Sequence, residues 1–143
     1  MHKKSKGVKK IKVFDCGPCV ANTKVELYVF DDRDPKSLKK AMAQLTKPVQ
    51  RIGAGVTIFD PWLQSCAKEP IKVLINSNRK KKLKAVQITL PHEINHIAGF
   101  LAKKFCTDSG SEPIAYLVGY MTESFQSALL KELGFEIIEK EAK

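Results

Sequence analysis

Two of the three histidines in the chain, His92 and His96, stand four residues apart, with Glu93 directly after the first. On a helix this spacing places two imidazoles on one face, one turn above the other. Two imidazoles so placed can share one tetrahedral metal ion. Glu93, one position on, points toward the same cavity without reaching the metal, and a carboxylate there can accept a proton from metal-bound water. Zinc suits the set, because it lowers the pKa of its water to about 7 in favourable sites. The pattern fixes only three positions and arises by accident in large sets of sequences. The plain alternative is a helix with two solvated histidines and a surface glutamate, and helical periodicity around the motif weighs against it.

A catalytic zinc takes a third protein ligand and leaves a fourth position open. Histidine is nearly excluded, since the remaining one is His2, close to the N-terminus. The candidates are Glu112, Asp108, Cys106 and Cys66. Glu112 is the best placed, at the mouth of a second helix after a short turn, where an antiparallel return would bring it back to the metal. Tyr116, Tyr120 and Glu123 follow it at helical spacing and give that helix a polar face. A phenol at Tyr116 could orient a ligand or stabilise an oxyanion. Tyr120 reads instead as a half-buried packing residue with a wet hydroxyl, and that reading stays open for Tyr116 as well.

The elements that must position these residues follow from periodicity. Residues 11–14 and 24–30 are rich in β-branched and aromatic residues, with Gly17-Pro18 between them, and read as two strands, in a hairpin arrangement. Asp34-Pro35 opens a helical stretch over residues 36–45, with Pro48 beyond its end. Residues 53–59 and 71–75 read as two further short strands, followed by a basic loop. From Leu83 the period changes: Val86, Leu90, Ile94, Ile97, Ala98 and Leu101 form the stripe of a helix with one buried face. Pro91 interrupts it. Either Thr89 begins the helix, with Pro91 near its first turn, or a longer helix is kinked there. After a polar turn containing Gly110, a second helix carries Ile114, Leu117, Val118, Met121, Phe125, Ala128 and Leu129 inward. Gly134 would end it, and residues 135–138 suit a last short strand. Strands mixed with one helix and then two consecutive helices make an α+β arrangement, a small sheet packed on the motif helix.

The chain has 143 residues, enough for one domain with a hydrophobic core, and its 43% hydrophobic and 28% charged residues are ordinary for a globular protein. The expected division is a flexible basic tail over residues 1–10 and a single domain over 11–143. No apolar run approaches the roughly 18 residues of a membrane span. The basic N-terminus leads into no apolar signal-peptide core, so a cytoplasmic location is expected. In that compartment Cys16, Cys19, Cys66 and Cys106 are expected as thiols or thiolates. The net charge is +10. Lys3, Lys4, Lys6, Lys9 and Lys10 form one basic cluster, and Arg79, Lys80, Lys81, Lys82 and Lys84 another. Outside these ten, the remaining 15 basic residues balance 15 acidic ones. Such clusters attract nucleic acid or acidic proteins in a salt-sensitive way, or simply solubilise a tail and a loop. No recognised nucleic-acid-binding motif accompanies them.

Cys16-Gly17-Pro18-Cys19 matches the thioredoxin redox motif letter for letter. In thioredoxins the first cysteine caps a helix, which lowers its pKa. Here the residues that follow alternate like a strand, so a hairpin turn or an incidental pair of thiols is preferred. A structural zinc on these two with Cys66 and Cys106 lacks a second close-spaced pair.

The segment His92-Glu93-Ile94-Asn95-His96, followed by Ser111-Glu112-Pro113-Ile114-Ala115-Tyr116-Leu117-Val118-Gly119-Tyr120, resembles the core of small zincin-like proteins encoded by tailed bacteriophages. Those carry the HExxH helix, a turn, and a helix that opens with Glu and continues Ala-Tyr-Leu. The resemblance covers roughly residues 71–122 in detail, and this chain departs from it at Pro91 and Pro113. It implies a minimal zincin-like fold of the gluzincin type, with zinc on His92, His96 and Glu112 and Glu93 as the base. Residues 93–99 also resemble peptide deformylase, whose third ligand is an upstream cysteine. The residues flanking Cys66 do not match that family's motif, and the chain runs on well past His96.

The expectation is therefore a zinc-dependent metallopeptidase, a hydrolase that takes a peptide or protein substrate. An edge strand, either 55–59 or 71–75, would hold an extended peptide by strand addition. The rival is a non-catalytic zinc-binding module that contacts nucleic acid or a host protein through its basic segments. Substrate preference and oligomeric state are not legible.

Overall fold

The computed structural model of the chain describes residues 8–20, 22–31, 33, 36, 39, 55–58, 70–77, 84–104 and 112–135. Strand β1 (Val8–Asp15) and strand β2 (Lys24–Phe30) form an antiparallel hairpin. The pairing slips between Lys10 and Lys12, a bulge at Ile11 that turns this residue toward the core. β1 starts three residues ahead of the expected boundary. Lys9 and Lys10 are thus strand residues, with their ammonium groups 3.0 Å from Glu132 and 3.1 Å from Glu26.

The hairpin loop satisfies its own backbone. Asp15 Oδ1 accepts from the Gly17 amide at 2.9 Å, and the Cys16 amide donates to the Thr23 carbonyl at 2.9 Å. Gly17 at φ 91° and Asn22 at φ 53° take the two left-handed positions the turn requires.

Strand β4 (Ile71–Asn76) lies parallel to β2, in register from Val25 opposite Ile71 to Phe30 opposite Asn76. Strand β3 (Gly55–Ile58) lies antiparallel on the other side of β4. The sheet is mixed, in the order β1-β2-β4-β3. Of the two strands expected as a possible edge, β4 is therefore an interior strand, paired on both sides. β3 has no second strand partner among the described residues.

Register sorts the side chains by face. Val25, Leu27 and Val29 of β2 share a face with Ile71, Val73 and Ile75 of β4, and all six are buried in the main core. Tyr28, Phe30, Leu74 and Asn76 are buried on the opposite face. This explains why β2 and β4 read as near-continuous apolar runs rather than alternating ones.

Two helices supply the rest of the core. Helix α1 (Leu90–Lys104) contributes Leu90, Ile94, Ile97 and Leu101, and helix α2 (Glu112–Glu132) contributes Ile114, Met121, Phe125 and Leu129. α1 packs on β3 and β4, α2 on β1, and the helices on each other. The edge-on contact of Phe125 with Phe14, 6.4 Å between centroids, ties α2 to the hairpin. Each such fully buried side chain contributes about 1.5–3 kcal/mol of transfer free energy.

The structure resolves the two readings of Pro91 in favour of the longer helical segment. A π-helical turn, Ala85–Thr89, runs directly into α1, and the Leu90 amide reaches back five residues to the Ala85 carbonyl. Pro91 has no amide to donate and would crowd the carbonyl four residues before it. The wide turn relieves that crowding ahead of the proline. α2 ends as expected at Gly134, whose φ is +87°. The Gly134 amide donates to the Lys131 carbonyl and the Phe135 amide to the Leu130 carbonyl, the paired bonds of a Schellman cap. The helix expected over 36–45, apart from Lys36 and Lys39, and the strand expected over 135–138, apart from Phe135, lie outside the described residues.

Candidate metal centre

The buried stripe of α1 fixes which way its other face points. With Leu90, Ile94, Ile97 and Leu101 held in the core, His92 and His96 stand exposed, one turn apart. Their Nε2 atoms are 3.1 Å from each other, and the rings meet nearly at right angles, 88°, with centroids 4.7 Å apart. Two nitrogens of a tetrahedral zinc site, each about 2.0–2.1 Å from the ion, lie about 3.3–3.4 Å apart. The pair falls within a few tenths of an ångström of that separation, so these two imidazoles have the spacing to serve as two of its four ligands. Two neutral rings sharing one Nε2–H···Nε2 bond fit the same distance.

Glu93 lies beside this pair and is only 6% exposed. A carboxylate in that position needs a hydrogen-bond donor, because burying an unpaired charge is costly. Thr57 supplies it. Its hydroxyl donates to Glu93 Oε1 at 2.5 Å and lies 3.4 Å from the Glu93 carbonyl oxygen. The reason is register: Thr57 sits opposite Val73, so its side chain belongs to the sheet face that α1 covers. Sequence reading did not single out Thr57. The available signal was a hydroxyl within the β-branched segment 55–58, but nothing in the sequence says that this strand runs alongside the motif helix.

The structure brings His92 and His96 together and sets Glu93 on Thr57. Glu112 is exposed in the first turn of α2. Among the described residues no three His, Cys, Asp or Glu side chains form a group that could hold a metal ion. Glu112 thus does not stand with the two histidines as a trio here. Cys66, Cys106 and Asp108 lie outside the described residues.

Tyr116 and Tyr120 are each 61% exposed and stack on one another, with centroids 6.4 Å apart and planes 21° from parallel. Neither is the half-buried packing residue considered from the sequence. With Ile114, Met121, Phe125 and Leu129 turned inward, Glu112, Tyr116, Tyr120 and Glu123 fall on the outer face of α2.

The thioredoxin-like tetrapeptide lies in the β1–β2 hairpin loop. Pro18–Val20 forms one 3-10 turn, too short to lend a helix dipole. Cys16 is a buried free thiol, pushed up to about 12 by burial and by the charge of Asp15. That is the reverse of what thiolate chemistry needs.

Lys9 and Lys10 project to opposite faces of β1, toward Glu132 and Glu26, so they form no single basic stripe. Lys84 is exposed ahead of the π turn; Lys3, Lys4, Lys6 and residues 79–82 lie outside the described residues. Among the described residues no helix is long and apolar enough to cross a membrane. No family model, curated protein or solved structure matches the chain.

Proposed function

We propose that this protein is a zinc-dependent peptide hydrolase with a minimal zincin-like fold, its metal held by His92 and His96. The observation that carries the reading is the pair of converging imidazoles, 3.1 Å apart at Nε2, on the helix that also holds the buried carboxylate of Glu93. Glu112 is proposed as the third ligand, on its place in the sequence and the packing of α2 against α1.

Zinc would supply Lewis acidity and bring the pKa of a water to about 7. The chain's own residues do the rest. Oε1 of Glu93 is held by Thr57, and Oε2 has no hydrogen bond among the described residues. Oε2 accepts one proton from the attacking water, whose oxygen bonds to the peptide carbonyl carbon. The same carboxyl then delivers that proton to the amide nitrogen as the C–N bond breaks. The products are a carboxylic acid and an amine. The β3 edge, which has no second strand partner among the described residues, would offer backbone groups to an extended substrate. Tyr116, exposed on α2, would donate its phenol to the developing oxyanion.

Substituting Glu93→Gln keeps the shape and an oxygen acceptor for Thr57 but removes the base. Hydrolysis of an unfolded protein such as casein should fall about 10²- to 10⁴-fold, the usual contribution of a general base. Zinc content should not change. Unchanged turnover in that variant would sink the mechanism.

A further inference from the structure

We infer that Thr57 is a positioning residue for this reaction, acting through Glu93; the inference rests on the peptidase reading. A glutamate on a helix has three rotatable side-chain bonds, and a general base works only when its oxygen is aimed at the proton it takes. The backbone of α1 fixes where Glu93 starts but not where its carboxylate ends. What fixes the end is the Thr57 hydroxyl, 2.5 Å from Oε1.

Four features make the hold specific. Thr57 comes from a different element, 36 residues away in sequence, so the contact ties the proposed substrate edge to the proposed base. Its side chain is half-buried and Glu93 is buried, so water competes weakly for the bond. A hydroxyl has one proton to give, and giving it to Oε1 leaves the lone pairs of Oε2 to take the proton in the proposed reaction. Threonine is also stiff at its first side-chain torsion, and strand geometry restricts it further. The donor is therefore placed before substrate arrives.

The test compares Thr57→Val with Thr57→Ser in zinc-loaded protein. Valine keeps the branched shape and removes the donor; serine keeps the donor and drops a methyl. In Thr57→Val, kcat on casein-derived peptide should fall about 10- to 100-fold, part of what the base itself contributes. KM should stay within about twofold, since the ground-state contacts of the peptide are untouched. Thr57→Ser should return to within about threefold of wild type. The carboxylate resonance of Glu93, assigned by its loss in Glu93→Gln, should move in the valine variant and return in the serine variant. Equal impairment of both variants, or wild-type kcat in Thr57→Val, would overturn the inference while leaving the peptidase reading standing. Wild-type protein that binds zinc but leaves peptide intact would overturn the peptidase reading and the positioning role with it.

Discussion

Cys16 keeps its proton because burial penalises the thiolate and the carboxylate of Asp15 repels it. The folded thiol titrates at about 12, against an ordinary value near 9.0. Between those values the folded chain holds more protons than the unfolded one, so stability falls as pH rises through the window. The Tyr28 phenol, raised by burial and by its bond to Glu26, acts in the same direction at higher pH. The urea midpoint of wild type should therefore drop between about pH 8 and about pH 10.5, and by less in Cys16→Ala. An equal drop in both would place the effect elsewhere. At this scale the histidines were legible, because a four-residue spacing on a periodic segment states its own geometry. The tetrapeptide around Cys16 was legible as a turn for a similar reason, since Gly17-Pro18 is strong punctuation. Thr57 was not, because its partner is 36 residues away and no local pattern encodes that distance.

The elements divide in the same way. α1 and α2 could be read from their apolar stripes: every residue expected on the α1 stripe, from Val86 to Leu101, is buried. The entry to α1 could not, since the local cost of Pro91 is the same whether the helix starts there or widens ahead of it. The π turn at Ala85–Thr89 is settled by burial, which pulls Ala85 and Val86 into the core on the same run as Leu90. The exit from α2 is a local matter. Gly134 sits at φ +87° with open space where a Cβ would go, so Gly134→Ala meets a backbone cost and no clash. That cost is about 1–2 kcal/mol, which should lower the thermal midpoint by a few degrees while far-ultraviolet dichroism stays unchanged. A midpoint equal to wild type would mean that the cap frays without consequence.

For the whole molecule, the α+β class followed from the order of strand-like and helix-like periods, whereas strand order did not. Placing β4 between β2 and β3 is a tertiary choice, visible beforehand only as the unbroken apolar run of 73–75. That choice puts β3 beside β4 and against α1, where Thr57 supplies the hydroxyl that holds Glu93. The two histidines stand on the exposed face of the same helix, beside Glu93, and α2, which packs against α1, carries Glu112 in its first turn. The account therefore depends on whether that face holds a metal. Elemental analysis of untagged protein, prepared with zinc, tests this most directly when wild type is compared with His96→Ala, Glu112→Ala and Cys66→Ala. The account predicts about one zinc per chain in wild type, loss in His96→Ala, weakened retention in Glu112→Ala and no change in Cys66→Ala. Zinc absent from wild type, or retained in full by His96→Ala, would contradict it.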